Sequence, residues 1–172
     1  MGRKSKFKQV CEPLHLEAMK IKHPSVPEHA IPKFDITGTS TNKLEKSIVA
    51  YIMLHGWLAE RIKNTGTARV QTMKMANGYE KKKLTYTKST GEKGTADILA
   101  TIDGRKVSIE VKNAKTKDRM SDAQRAYKRK TELSGGVYYV ARTIEGFIDW
   151  YEEQGFGMNP NWEEAIKMLY KK

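Results

Sequence analysis

On either side of Asp103-Gly104 the chain alternates apolar and polar residues, Ile98–Ile102 before it and Arg105–Val111 after it. Asp-Gly between two such runs is a strong signal for a two-residue hairpin turn. Counting outward pairs Ile102 with Arg105, Ala100 with Val107, Ile98 with Ile109 and Asp97 with Glu110. Because side chains alternate along a strand, Ile98, Ala100, Ile102, Val107, Ile109 and Val111 share one face, which is the expected core. Asp97, Leu99, Thr101, Ser108, Glu110 and Lys112 share the other.

Helical periodicity appears first at Asn42, where Leu44, Ile48, Tyr51, Ile52 and His55 form one stripe ending before Gly56. Glu45 lies at the edge of that stripe. Asn42-Lys43-Leu44-Glu45 fits a capping arrangement, and the same position would let Glu45 reach a site at the rim of the core. A strand is expected over Trp57–Thr65. A polar excursion to Lys93 follows, with Asn77-Gly78 and an alternating run from Lys81 to Thr87. It predicts a hairpin that extends the sheet, whose lysines, Lys82 and Lys83 among them, could follow phosphates. After the central hairpin a basic loop with Lys115, Lys117 and Arg119 leads to a helix with Ser121 at its cap and Gln124 three residues on. Arg125 extends the basic surface onto that helix, whose expected buried side is Ala123, Ala126, Tyr127, Lys130 and Leu133. Gly135-Gly136 ends it. Val137–Ala141 reads as a buried strand, Thr143 as the cap of a helix carrying Phe147, Ile148 and Tyr151, and Pro160 as the first position of a final helix.

Residues 1–40 contain Pro13, Pro24, Pro27 and Pro32, which confine any helix there to about Leu14–Lys22. The order is helix, strand, hairpin, helix, strand, helix (αβββαβα), an α/β class with a mixed sheet. The expected organisation is a basic N-terminal extension over 1–41, a domain over 42–155 with a basic insertion at about 66–93, and a C-terminal helix over 156–172.

Charge narrows the partner. The 172 residues hold 32 Lys and Arg against 20 Asp and Glu, a net charge of +12, which favours a polyanion: nucleic acid first, an anionic membrane surface second. No run is long enough to span a bilayer. A single cysteine excludes an intrachain disulfide framework, and the basic start lacks the apolar centre of a secretory signal, so a reducing, cytoplasmic location is expected. Cys11, His15 and His23 have no fourth zinc ligand at suitable spacing. The threonine-rich run around Gly38 lacks the lysine and helix of a P-loop. No serine or cysteine has a recognisable histidine partner, which leaves the carboxylates to carry any chemistry. Opposed Asp97 and Glu110 would have Cβ atoms ~4.5–5.5 Å apart and repel. A hard cation such as Mg²⁺ or Mn²⁺ reverses that sign; Lys112 neutralising one carboxylate on a solvated hairpin end is the simpler reading.

An acidic residue at a strand start, Glu110-Val111-Lys112 on the next strand and Gln124 early in the following helix resemble the PD-(D/E)XK nuclease superfamily. The string IEVKNAKTKDRMSDAQRAYKRKTELSGGVYYVARTIEGFIDWY looks like its VRR-NUC branch, of phage and prophage type. The similarity covers roughly residues 42–153. It implies a restriction-endonuclease-like core and Mg²⁺- or Mn²⁺-dependent hydrolysis of DNA phosphodiesters in a bacterial or phage-infected cell, with branched or flap DNA among the candidate substrates. Asp97, Glu110 and the Val111 carbonyl would be metal ligands, joined by Glu45 from the first helix. Lys112 would orient the attacking water, and Gln124 would support the site. Ala96 stands where the superfamily's nominal proline falls, Tyr127 follows Gln124 by three residues rather than four, and Val140-Ala141-Arg142 has alanine in the middle of the branch signature. Paired cuts in a junction would call for a homodimer. The competing reading is a non-catalytic nucleic-acid-binding module on the same fold.

Overall fold

The computed structural model describes residues 5–36, 40–62, 67–75, 78–87, 92–112 and 118–170. A four-stranded mixed sheet forms its centre, built from β1 (Leu58–Arg61), β4 (Ile98–Ile102), β5 (Arg105–Val111) and β6 (Val137–Ala141), side by side in that order. β4 runs antiparallel to both of its neighbours, β1 and β5, and β6 runs parallel to β5. The register of β4 on β5 is the one the Asp103-Gly104 count gives, with Ile98 opposite Ile109 and Ala100 opposite Val107. Both turn residues take positive φ, 50° at Asp103 and 72° at Gly104, as a two-residue hairpin whose turn matches the strand twist requires.

One sheet face is apolar. Ile98, Ala100, Ile102, Val107, Ile109 and Val111 are buried there with Ile48, Tyr51 and Ile52 of α2 (Thr41–Leu54) and Phe147, Ile148 and Tyr151 of α4 (Ile144–Glu153). The other face is covered by α3 (Asp122–Leu133), which buries Tyr127 against Tyr138 and Ala96 in a small second cluster. The buried seam of α3 is Tyr127 and Thr131, whereas Ala126, Lys130 and Leu133 point to solvent. The helix is rotated by about one residue from its predicted face. Lys130 turns outward to Glu92, and Thr131 packs where Gly136 leaves room; a Cβ on Gly136 would stand 2.8 Å from the Thr131 methyl.

Three further predictions are corrected. The N-terminal helix α1 spans Lys6–Lys22, with Pro13 inside it and Ser5 accepting from the Lys8 N–H at its start. The lost backbone donor at Pro13 is outweighed by a stripe of Phe7, Cys11, Leu14, Ala18 and Ile21, which packs α1 on α2, α4 and α5 (Trp162–Leu169). Cys11 is thus a core side chain, and the His15 ring contacts the Pro32 carbonyl at 3.1 Å. Lys6 pairs with Asp149 (2.9 Å) and Glu152 (2.7 Å) of α4. In the excursion, β2 (Thr67–Lys74) and β3 (Glu80–Thr87) pair only with each other, as a separate two-stranded sheet rather than an extension of the main one. Finally, Pro160 is not the first residue of the last helix. It lies in a turn closed by the Asn161 N–H donating to Asn159 Oδ1 (2.9 Å), and Asn161 is the N-cap from which α5 starts at Trp162.

Polar side chains of the C-terminal segment close the open end of α2. Trp162 Nε1 donates to the Leu54 carbonyl (2.7 Å) and Asn159 Nδ2 to that of Gly56 (2.8 Å), two groups that lie past the helix's own bonding pattern. His55 is a packed helix-end residue, its Nδ1 2.7 Å from the Tyr51 carbonyl, and burial lowers its pKa. Trp162→Phe keeps the packing and removes the donor, so it should cost about 1–2 kcal/mol in a urea titration. No helix among the described residues is long and apolar enough to cross a membrane.

Candidate active site

The start of β4, the ends of β5 and β6 and the first turn of α3 meet at one end of the sheet. Asp97, the residue before β4, is fastened on both sides. Its carbonyl accepts from the Ile62 N–H (2.8 Å), and its Oδ2 accepts from the Val111 N–H (2.8 Å). That second bond ties the carboxylate to the end of β5 and sets it beside Glu110.

Glu110 and Lys112 both lie on the face covered by α3, with side chains 3% and 7% exposed. Lys112 Nζ is 3.1 Å from Glu110 Oε1, 3.2 Å from Gln124 Oε1 and 3.4 Å from Asp118 Oδ1. Gln124 completes the ring: its Nε2 donates to Glu110 Oε1, and its Oε1 also accepts from the Ser121 N–H (2.9 Å). With the Gln124 N–H donating to Ser121 Oγ (3.2 Å), this is a full capping box. The one side chain therefore both closes the capping box and bridges Glu110 and Lys112. One carboxamide, fixed by the helix it starts, holds the carboxylate and the ammonium in register.

Burial, and then the Asp97 charge, push the Glu110 carboxyl from its ordinary 4.5 up to about 7, against the opposing effect of Lys112. Its second oxygen, Oε2, is buried without a hydrogen-bond partner among the described residues, as are Ser108 Oγ and Tyr138 Oη on the same face. The Tyr138 phenol is pushed up by burial and by the nearby Glu110 and Asp97 charges, and a contact with the Glu110 side chain, outside ordinary hydrogen-bond geometry, adds to the shift. Two close carboxylates with an unpartnered buried oxygen form a hard, oxygen-only donor set. Mg²⁺, which keeps several waters and binds through one or two carboxylates, fits such a pair. Among the described residues no three His, Cys, Asp or Glu side chains group as a ready-made metal cage.

Glu45 has a different partner. Its Oε2 accepts from both Nε (2.7 Å) and Nη2 of Arg61, and Arg61 also donates to Asn42 Oδ1 (2.7 Å). Ser40 is the helix N-cap, so Glu45 does not cap α2. Arg61 stands opposite Ile98 on the neighbouring strand, which brings the Glu45–Arg61 pair to the same end of the sheet as Asp97. Of the basic residues expected on nucleic acid, Arg119 is exposed, while Arg125 is exposed and pairs with Asp122. Lys82 and Lys83 are exposed on β3 and, as neighbours in a strand, face opposite ways. Lys115 and Lys117 lie outside the described residues.

Arg61, Asp118 and Gly94 were not singled out by sequence. Gly94 has φ +84°, and a Cβ there would overlap the Ala123 carbonyl and come within 2.7 Å of the Gln124 nitrogen. The segment leading to Asp97 thus lies directly on the first turn of α3. Gly94→Ala should destabilise the fold by about 3 kcal/mol or more, by strain and by lifting α3 from the sheet, measurable as a lowered urea midpoint. Gln124→Ala should lose about 1 kcal/mol from the cap, read in the same titration.

No protein-family model matches this chain, and no curated protein matches it.

Proposed function

We propose that this chain is a metal-dependent DNA nuclease of the PD-(D/E)XK type, close to its VRR-NUC branch, with a restriction-endonuclease-like core. The observation that carries the reading is Glu110. A carboxylate buried to 3% exposure beside Asp97, with its pKa at about 7 and one oxygen unpartnered, is an unfavourable arrangement that a divalent cation relieves. Asp97 and Glu110 would hold Mg²⁺ or Mn²⁺, with the Val111 carbonyl added by resemblance. Such an ion supplies an activated water and neutralises charge on the phosphate.

The chain's own groups supply the rest. Lys112 is a fixed ammonium donor whose position is set by Glu110, Gln124 and Asp118 before substrate arrives, so charge developing on the scissile phosphate meets a preorganised donor. Gln124 keeps Glu110 Oε1 turned toward Lys112, which leaves Oε2 as the oxygen for the ion. Glu45 would join the ligands only by leaving Arg61. The net charge of +12 suits a DNA substrate, and the positions that contribute to it include the exposed Arg119, Lys82 and Lys83.

The test is a panel of linear, single-stranded, flap and four-way-junction DNAs incubated with Mg²⁺, Mn²⁺ or EDTA. Cleavage with either metal and none in EDTA is expected. Symmetric junction cuts would add a homodimer. DNA bound but intact under every condition would replace the nuclease with the binding module.

A further inference from the structure

The β2–β3 ribbon stands apart from the main sheet, and its register sorts its side chains sharply. On one face Arg69 is opposite Thr85, Lys83 opposite Gln71 and Lys81 opposite Met73, so each of these three successive rows carries one cation and no acid. Rows on one face recur every ~6.8 Å. The single acid of the two strands, Glu80, is on the reverse face opposite Lys74, in a set that includes Val70, Leu84 and Lys82. Beyond the ladder, Met75 and Tyr79 are joined by the Met75 N–H donating to the Tyr79 carbonyl (2.8 Å), and strand alternation continues the cationic face to them. Both are exposed, Tyr79 by 76% and Met75 by 49%. The face thus runs from cations along its length to a large apolar pair at its tip.

A two-stranded ribbon with both faces wet is marginal on its own, and its width matches a DNA groove. Apolar wedges at the end of a basic ribbon are how proteins unstack or seize a distorted base step. We propose that the β2–β3 ribbon is a DNA-gripping arm: Arg69, Lys81 and Lys83 lie on the phosphates of a duplex, and Met75 and Tyr79 pack on bases laid open at a branch point. The energy needed to unstack a step is already spent at a junction or flap, so the tip selects branched over linear DNA. The inference rests on the DNA reading above but not on cleavage.

Binding is measured with the full chain in EDTA, on a labelled four-way junction and a linear duplex of the same arm length, over a range of salt. Arg69→Ala/Lys81→Ala/Lys83→Ala should lower the slope of log K against log salt by about 2.7 on both DNAs, at about 0.9 per lost phosphate contact. Lys74→Ala, on the reverse face, should change it by less than about 0.5. Met75→Ser/Tyr79→Ser should leave linear binding and the slope unchanged and reduce the junction preference about tenfold, the scale of losing one base–aromatic stack. A triple-variant slope equal to wild type, equal losses from the two faces, or a tip variant that keeps its junction preference would each overturn the arm. Wild-type protein that binds neither DNA would instead overturn the DNA reading itself, and binding without cleavage in Mg²⁺ would remove only the nuclease.

Discussion

Replacing Lys112 with alanine should reduce metal-dependent DNA cleavage by about 10²–10³-fold or more in single-turnover rate, with DNA affinity little changed. The ammonium is 7% exposed and already positioned by three neighbours, so no other residue in the ring can supply its charge. Asp97→Ala and Glu110→Ala should abolish cleavage as well, but through the loss of metal binding. Titration with Mn²⁺ separates the two mechanisms, because Lys112→Ala retains both carboxylates and therefore the ion. The variant also leaves Glu110 buried without its cation, which weakens the metal-free fold as that carboxylate ionises. Folding is therefore best checked at about pH 5.5, below the raised pKa of Glu110, where the carboxyl carries its proton. A Lys112→Ala protein that is folded, binds Mn²⁺ and cleaves at the wild-type rate would sink the assignment.

What made the centre of this site legible was local. The Asp103-Gly104 turn has a fixed residue count, so the register of β4 on β5 followed by arithmetic, and with it the separation of the apolar face from the Glu110–Lys112 face. Ser121 and Gln124 are three residues apart at a helix start, a spacing that a capping box imposes by itself. What stayed hidden depends on elements far apart in sequence. Glu45 meets Arg61 only because α2 and β1 pack at one sheet edge, and a helical spacing cannot announce that an arginine will take the carboxylate. Gly94 matters through its approach to the α3 backbone, which no pattern near residue 94 encodes. Pro13 misled because a local rule was applied to a helix whose stability comes from the packing of Phe7, Cys11 and Ala18. The ribbon misled differently: its alternation is real, but strands alternate whether or not they join the main sheet.

Glu110 also makes the stability of the fold depend on pH. Its folded pKa, about 7, lies above its ordinary value of 4.5, so between those values the unfolded chain has released a proton that the folded chain retains. Its contribution to stability is fully present below about pH 4.5 and is lost as pH rises through about 7, with a total on the order of 3 kcal/mol. His55 acts in the opposite direction: burial lowers its pKa from 6.5, so its contribution is present above that value and declines as pH falls. The two windows overlap, and the wild-type profile alone would mix them. The informative quantity is the difference between wild type and Glu110→Gln in urea titrations from about pH 5 to 8 in EDTA, since His55 cancels. Relative to the variant, the wild type should lose about 2–3 kcal/mol across that range. Saturating Mn²⁺ should return stability to the wild type, most strongly at about pH 8 where the carboxylate is ionised, and should do little for Glu110→Gln. Parallel profiles for the two proteins, with equal Mn²⁺ effects, would show that Glu110 is neither the strained carboxylate nor the ligand. A divergence closed by metal would identify the least stable feature of the metal-free fold with the group that holds the ion.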